Sequence, residues 1–248
     1  MTELNIQIEE LISKNATDFQ ISKVFKTYYK NYLDSIDTTV ETTGGKDFFI
    51  KHTKHTDKFL VLLYKYILRK NFASHQPMSS SIPISLIALG SYGREQLCIY
   101  SDIDIMILYE NVKGYNLKGI MEEFITLAWD CGLKLGSRVH ELKEVKDAVK
   151  EDITIKSSIL ESRMIYGSKI LWFSYENVLK IIRKTNQKEF VLDKLEEHKQ
   201  RLLKYPLKME PNIKDGYGGI RESNMMYWMA NILYGVTNTK DLIGTQFT

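Results

Sequence analysis

The chain of 248 residues carries 34 basic and 31 acidic residues, a formal net charge of +3, and is 44% hydrophobic. This near balance argues against a protein that coats nucleic acid, which would need a strongly basic face. The two cysteines lack metal-ligand spacing, no apolar run is long enough to span a membrane, and the N-terminus has no signal-peptide pattern. Composition therefore predicts a globular, cytoplasmic protein with neither a nucleic acid nor a membrane as partner.

Hydrophobic periodicity predicts helices at both ends of the chain and strands in its middle. In chain order, the predicted elements are a helical region at Ile6–Asp34, a loop at Thr38–Gly45, a helix at Lys46–Asn71, a loop at Gln76–Ser81, strands at Ile84–Leu89 and Asp102–Tyr109, a helix at Gly114–Gly132, a strand at Leu133–Leu142, and helices at Asp152–Gly167, Ser168–Arg183, Gln187–Tyr205 and Ile220–Tyr234. Thr17 is a candidate N-cap within the first region, and Gly167 is a candidate C-cap.

Two histidines, His52 and His55, lie three residues apart in the second predicted helix. This spacing occurs in metal sites, but the neighbouring residues are strongly basic and include no cysteine. The pattern therefore favours a solvated helix face over a metal site.

The stretch from Ile84 to Tyr109 contains the residues best suited to chemistry. Its first apolar run ends at Gly90 and Ser91, and its second begins with Asp102 and Asp104, which one apolar residue separates. Alternate side chains of a strand share a face, so the two carboxylates would point the same way. Because they repel each other, a divalent cation would stabilise the pair, and oxygen ligands of this kind suit Mg²⁺.

The glycine–serine turn before the second strand predicts a phosphate site. Gly90 allows the backbone to approach a ligand closely, and Ser91 offers a hydroxyl and an amide. A helix starting near Gly93 would also favour a phosphate at its N-terminus. A phosphate cradle beside paired carboxylates predicts a nucleoside triphosphate with Mg²⁺, and the alternative is that both aspartates are solvated residues at a strand entry.

The run GSYGREQLCIYSDIDIMIL resembles the signature of the DNA polymerase β-like nucleotidyltransferase superfamily, a Gly-Ser or Gly-Gly turn followed by a Dx[DE] strand. It is most similar to the N-terminal domain of the PII uridylyltransferase/uridylyl-removing enzymes, which read G-G-Y-G-R-G-E-L and then S-D-I-D. Ser91, Glu95 and Gln96 depart from that version. The turn also resembles nucleotidyltransferases found beside CBS domains, so the chemistry is better defined than the substrate.

The resemblance continues along the chain, from about Phe48 to Tyr234. Leu160-Glu161-Ser162-Arg163 is similar to a family segment, in which we expect Arg163 and Glu161 to form a buried network. The stretch EPNIKDGYGGIRES is similar to the family motif N-P-D-I-K-E-G-P-G-G-L-R-D, with Tyr217 in place of the proline and Glu222 in place of the aspartate. A basic, glycine-rich loop at a helix start is a candidate nucleotide contact, and the alternative is an ordinary helix cap.

The resemblance implies an α+β fold with a short mixed β-sheet. The expected parts are an N-terminal helical extension (1–78), a nucleotidyltransferase core (79–150) and a C-terminal helical subdomain (151–248). It also implies a Mg²⁺-dependent enzyme of nitrogen regulation that transfers a nucleoside monophosphate, UMP from UTP in the resembled family, to a hydroxyl of a PII signalling protein and releases pyrophosphate.

The resemblance assigns site residues by position. Asp102 and Asp104 would hold two Mg²⁺ ions. The superfamily often takes a third carboxylate from the third core strand, where Glu141 is either that ligand or an exposed strand residue. The expected nucleotide contacts are Gly90, Ser91, Arg94, Lys214 and Arg221.

Two alternatives stay open from the sequence alone. The chain is either a catalyst or a nucleotide-binding regulatory module without catalysis, and a catalyst could use a different acceptor. Full-length members of the family continue into an HD hydrolase domain and two ACT domains, whereas this sequence has no His-Asp dyad of the HD type. We therefore expect no uridylyl-removing activity from these residues, whether the chain is a fragment or a stand-alone transferase; the base and the oligomeric state stay open.

Overall fold

The structure is a computed structural model that describes residues 1–43, 45–72, 78, 81–205, 210–236, 241 and 243, without the side chains of residues 37–43. Within these residues the helices are α1 (Thr2–Ser13), α2 (Asp18–Thr43), α3 (Lys46–Phe72), α4 (Gly90–Gly93), α5 (Leu117–Asp130), α6 (Val145–Glu151), α7 (Ile153–Leu160), α8 (Lys169–Lys184), α9 (Gln187–Lys204) and α10 (Ile220–Tyr234). The strands are β1 (Ile84–Ala88), β2 (Ile103–Tyr109), β3 (Leu135–Glu141) and β4 (Arg163–Gly167). The predicted α+β fold with a short mixed sheet is confirmed.

The four strands form one sheet in the order β3-β2-β1-β4. Strand β1 pairs antiparallel with both of its neighbours, whereas β2 and β3 run parallel. The pairing of Ala88 with Ile105 brings the end of β1 beside the start of β2. On the other side, Asp104 pairs with Gly136 at the start of β3. The register therefore gathers the turn after β1 and both candidate aspartates at one end of the sheet.

The chain divides into two compact units. The first comprises Met1–Lys143 with Glu161–Ser174, and the second comprises Glu144–Leu160 with Tyr175–Thr248. The sequence predicted a separate N-terminal extension, but Phe25 of α2 and Phe59 of α3 are buried in one core with the strand residues of the sheet. The N-terminal helices thus belong to the same unit as the sheet, because an apolar sheet face needs a covering layer.

The segment predicted as one helix from Asp152 to Gly167 forms helix α7 and then strand β4. Its second half pairs with β1, a partner about 80 residues earlier in the chain, and local periodicity does not register such a partner. Gly167 is therefore a strand residue and not a helix C-cap: its φ is +118°, and a methyl group there would lie 2.2 Å from the carbonyl oxygen of Ile84.

Other local predictions differ in smaller ways. Thr17 is the predicted N-cap of α2, and its hydroxyl accepts from the amide of Gln20, whose side chain accepts from the amide of Thr17. Helix α2 continues to Thr43, so most of the predicted loop at Thr38–Gly45 is helical. The predicted loop at Gln76–Ser81 lies almost entirely outside the described residues. Helix α6 has no counterpart among the predicted elements.

The histidine-bearing face of α3 is not solvated, contrary to the prediction. His52 is 2% exposed, and its ring contacts those of Tyr32 and Phe48. His55 stacks on Tyr32 with the ring centroids 3.4 Å apart. The histidines therefore help to join α2 and α3. In the described part of the chain, no helix is both long enough and apolar enough to cross a membrane.

Candidate active site

The turn after β1 lies directly against the start of β2. The amide of Leu89 donates to the carbonyl oxygen of Asp104 over 2.9 Å. Gly90 has a φ of +55°, and a methyl group there would lie 3.8 Å from Oδ2 of Asp104. The left-handed conformation at this position favours glycine. The short distance shows that the backbone of the turn and the Asp104 carboxylate are neighbours in space.

The predicted alternation holds at the start of β2 and ends there, because Met106 and Leu108 are buried as well as Ile105 and Ile107. Asp102, just before the strand, and Asp104 are both exposed, whereas Ile103 and Ile105 are 3% and 0% exposed. The apolar side chains anchor the strand in the core of the first unit. Both carboxylates therefore face solvent on one side of the sheet, beside the glycine turn.

Helix α4 is a single turn that begins at Gly90, earlier than the expected start near Gly93. Ser91 is partly exposed, and within the described residues its hydroxyl makes no hydrogen bond to the protein. Its carbonyl oxygen accepts from the amide of Gln96 over 2.8 Å, which closes the turn. The Ser91 hydroxyl is thus positioned by the backbone and available to a ligand.

A partly buried polar network holds this turn. Tyr92 is fully buried, and its hydroxyl donates to Oδ1 of Asp57 over 2.6 Å. The guanidinium of Arg163 donates to both Asp57 oxygens over 2.8 and 3.1 Å, and to the carbonyl oxygen of Tyr92 over 3.4 Å. Burial, and then the Asp57 charge, raise the pKa of Tyr92 well above its usual value, so Tyr92 is a neutral donor. The network ties the turn to α3 and β4.

A second ion pair closes the other side of the turn. Arg94 pairs with Glu161 and also donates to Oε1 of Gln96 over 3.1 Å. Gly93 packs against the same segment, since a methyl group there would lie 1.9 Å from the carbonyl oxygen of Glu161. The expected pairing of Arg163 with Glu161 is therefore wrong: Arg163 pairs with Asp57 and Glu161 with Arg94. The nucleotide-binding role of Arg94 stays a prediction.

Glu141 does not lie with the two aspartates. In the parallel pairing of β2 with β3, Asp104 is opposite Gly136, and Glu141 is opposite Tyr109 at the far end of both strands. Five residues along a strand are about 17 Å, and an odd offset places the side chain on the other face of the sheet. Glu141 instead pairs with Lys143 at 2.8 Å. The register therefore contradicts the expectation that Glu141 completes a metal site with the aspartates.

The carboxylates that the structure does bring together fit a Mg²⁺ site. Among the described residues, no group of three histidine, cysteine or acidic side chains is placed to hold a metal ion. Mg²⁺ does not need such a cage, because it keeps several waters and commonly binds one or two carboxylates together with substrate phosphates. Gly136 leaves room at Asp104, since a methyl group there would lie 2.4 Å from Oδ1 of that carboxylate.

The glycine-rich loop before α10 lies in the second unit and is closed by its own contacts. The side chain of Asn212 accepts from the amides of Lys214 and Asp215, and the carboxylate of Glu222 accepts from the amide of Gly218. Arg221 pairs with Asp215 over 2.8 Å, whereas Lys214 is exposed. The helix-cap alternative thus describes much of this loop, and the nucleotide contacts of Lys214 and Arg221 stay predictions.

Sequence reasoning found no sign that Asp57 and Tyr92 support the site, and it predicted Arg163 in a network with the wrong partner. Asp57 and Arg163 are 106 positions apart, so no local pattern links them. The available signals were an aspartate in a basic helix, a tyrosine within the sequence Gly-Ser-Tyr-Gly and an arginine two positions after Glu161. None of these signals identifies the partner of any of the three residues. The partners are determined by the tertiary packing of α3, α4 and β4.

Comparisons with known proteins agree with the sequence resemblance. A family model described as GlnD PII-uridylyltransferase matches residues 189–248. A bifunctional uridylyltransferase/uridylyl-removing enzyme of Hydrogenovibrio crunogenus is 31% identical over 247 residues, which covers 93% of this chain and 28% of the relative. Proteins of the same description from Ectopseudomonas mendocina and Pseudomonas entomophila are 35% and 36% identical, over 68% and 66% of this chain and 19% of each relative.

The chain therefore spans about a fifth to just over a quarter of the length of the curated relatives it matches. The alignment with the Hydrogenovibrio crunogenus relative extends through both compact units. This similarity over most of the chain and the α+β architecture agree with the motifs at the Gly-Ser turn and the paired aspartates. The chain belongs to the family of bifunctional uridylyltransferase/uridylyl-removing enzymes.

Proposed function

We propose that the first unit is a Mg²⁺-dependent nucleotidyltransferase that transfers UMP from UTP to a hydroxyl of a PII-type protein. The observation that carries the proposal is the arrangement of Asp102 and Asp104, exposed on one face of the sheet beside the Gly90 turn. A carboxylate pair next to accessible backbone and a serine hydroxyl suits a triphosphate with its metal. The names of the relatives support uridylyl transfer, and the family model's description supports a PII acceptor.

In the proposed reaction the acceptor oxygen forms a bond to the α-phosphorus of UTP. The bond from that phosphorus to the bridging oxygen breaks, pyrophosphate leaves, and the hydroxyl proton passes to solvent. Asp102 and Asp104 would hold Mg²⁺, which supplies positive charge to the triphosphate and lowers the pKa of the acceptor hydroxyl when it is bound. In the sequence prediction two ions bind here; the geometry supports the two aspartates as ligands without Glu141.

The remaining roles belong to residues of the turn and to the residues that support it. The Ser91 hydroxyl would donate to a phosphate oxygen, and Gly90 would let phosphate approach the backbone. Asp57, Tyr92 and Arg163 would act as positioning residues, because their hydrogen bonds to one another fix the turn. Such rigid support matters because small displacements of a reacting group cost large factors in rate.

The test is pyrophosphate release with Mg²⁺ and each of the four nucleoside triphosphates, with and without a PII-type protein. The proposal expects release from UTP that depends on the acceptor, with UMP attached to the acceptor by mass. Release that is equal for all four nucleotides would contradict the uracil preference. Acceptor-independent release would contradict the protein acceptor while leaving the nucleotidyltransferase in place.

A second candidate function is nucleotide binding without catalysis. The observation in its favour is that the described residues supply two carboxylates and no third metal ligand at this edge of the sheet. This candidate predicts that UTP raises the thermal stability of the chain in the presence of Mg²⁺ while no pyrophosphate appears under any acceptor condition. The uridylyl-removing activity in the relatives' names has no proposed site in this chain.

A further inference from the structure

The second unit contains a cavity of about 340 Å³ that the proposed nucleotidyltransferase does not use. It lies between helices α6 and α7 on one side and the end of α8 and start of α9 on the other. Its volume is at the lower end of the range of small-ligand sites. Its apolar surface comes from Val149, Ile153, Ile181, Ile182 and Phe190.

A buried lysine lies in the wall of this cavity. Lys156 is 7% exposed, and its ammonium donates to the carbonyl oxygen of Thr185 over 3.0 Å. The same ammonium lies 5.0 Å from the centre of the Phe190 ring. Within the described residues, no carboxylate lies within ion-pairing distance of it. Glu189 and Asp193 of the same cavity act on this charge only from beyond ion-pairing distance. A buried charge without a close partner is costly, and an anion in contact with the ammonium would offset that cost.

The other charges around the cavity restrict the ligand. Glu189 and Asp193 lie on the opposite wall and would repel a ligand of high negative charge. Glu189 already accepts from the side-chain amide of Asn186 over 2.7 Å, and Lys150 pairs with Asp147 over 2.9 Å. Among the lining residues, Lys156 is therefore the one buried cationic donor. Its single positive charge would balance a monoanionic head group better than a phosphate dianion.

We propose that this cavity binds a small carboxylate with an apolar body. The carboxylate would accept from the ammonium of Lys156, and the apolar body would lie against Ile182 and Phe190. The binding would be independent of nucleotidyl transfer, because every residue of the cavity lies in the second unit and no candidate residue of the transfer reaction lines it.

The test uses 4-phenylbutyrate as the probe and the 248-residue chain, with binding followed by titration calorimetry. 4-Phenyl-1-butanol and 4-phenylbutylamine keep the same body and change only the head group. We expect saturable binding of the carboxylate, about tenfold tighter than the alcohol, because a hydrogen bond to a charged group is worth about that factor. Equal binding of the alcohol, or no saturable binding of the carboxylate, would overturn the proposal.

Two variants separate the lysine from the cavity. Lys156→Met keeps the length of the side chain and should weaken 4-phenylbutyrate binding about tenfold, whereas Lys184→Met, which removes a charge outside the cavity, should leave it unchanged. Ile181→Trp should fill the cavity from its exposed rim and abolish binding while Lys156 is intact. Unchanged binding in Lys156→Met or in Ile181→Trp would show that the probe binds elsewhere and would refute the site.

Discussion

Two glycine-rich turns of this chain look alike in sequence and differ in how their charges are satisfied. At the Gly90 turn, the supporting charges of Asp57 and Arg163 are paired with each other in a partly buried network, while Ser91 is partly exposed and both aspartates are exposed. In the loop before α10, the acidic residues Asp215 and Glu222 pair with groups of the loop itself. Glycine and basic residues therefore predict a turn, and a ligand site also needs polar groups that face solvent.

The largest expected effect is on the aspartates of the first turn. Asp104→Asn should lower acceptor-dependent pyrophosphate release by at least about a thousandfold, because a metal site loses a charged ligand. Asp102→Asn should behave similarly. The free energy of unfolding should stay within about 0.5 kcal/mol of the parent in both, since each side chain is exposed. An Asp104→Asn variant that retained most of its activity would contradict the mechanism.

The support of the first turn gives the next largest effect. Asp57→Asn leaves the partly buried guanidinium of Arg163 without its countercharge and weakens the acceptor for Tyr92. The free energy of unfolding should fall by about 3 kcal/mol in urea titrations, with a loss of transfer activity. Asp147→Asn, which breaks an exposed pair with Lys150, is the control and should leave both properties unchanged. Equal stability of Asp57→Asn and the parent would show that the network does not hold the turn.

Acid should affect the first unit before the second. Burial lowers the pKa of His52 and of His55 to about 4, and the N-terminal charge contributes at His55. Because the unfolded chain protonates these rings near pH 6.5, the stability they contribute is present above pH 6.5 and is lost as the pH falls toward 4. The loss is up to about 1.4 kcal/mol per pH unit for each histidine.

Hydrogen exchange followed from pH 7 to pH 4.5 checks this expectation unit by unit. Protection of α3 in the first unit should fall as the pH falls. The control is His198→Gln, which alters a histidine of the second unit and should leave the pH dependence of α3 protection the same as in the parent. Constant protection of α3 across this range would contradict the assignment of neutral, buried histidines.

A smaller effect is expected from the pairing of β2 with β3. Gly136→Ala places a methyl group 2.4 Å from Oδ1 of Asp104, and the carboxylate must turn away. Transfer activity should fall about tenfold, because the ligand is displaced and not removed, and the free energy of unfolding should fall by no more than about 1 kcal/mol. Ser137→Ala is the neighbouring control. Unchanged activity in Gly136→Ala would show that the orientation of Asp104 is not critical.

The smallest effect is expected in the loop of the second unit. Lys214 is its exposed basic side chain, and Lys214→Ala should raise the KM for UTP several-fold without changing kcat, as the loss of one exposed phosphate contact would. Lys199→Ala on α9 is the matched control. An unchanged KM in Lys214→Ala would leave the loop as a helix cap and remove its predicted nucleotide role.

The sequence was most informative where the two-residue alternation of a strand matches the alternation of buried and exposed side chains. Alternation along β2 predicted that Asp102 and Asp104 share a solvent-facing side, and the burial of Ile103 and Ile105 confirms it. Predictions from the sequence were wrong or undecided where the structure depends on a contact with a residue distant along the chain. Strand β4 is predicted as helix because its partner β1 lies about 80 residues away. The sequence leaves the role of Glu141 open between a metal ligand and an exposed strand residue, because the local sequence does not determine the register of β3 against β2. His52 is buried through Tyr32, on another helix.

The most direct test of the central claim is the binding of Mn²⁺, as a paramagnetic substitute for Mg²⁺, in the presence of a non-hydrolysable UTP analogue. Electron paramagnetic resonance would compare the parent chain with Asp104→Asn and Glu141→Gln. We expect the parent and Glu141→Gln to bind Mn²⁺ equally and Asp104→Asn to lose binding. If Glu141→Gln lost binding as completely as Asp104→Asn, the site would need a carboxylate that this structure places at the other end of the strand, and the account would be contradicted.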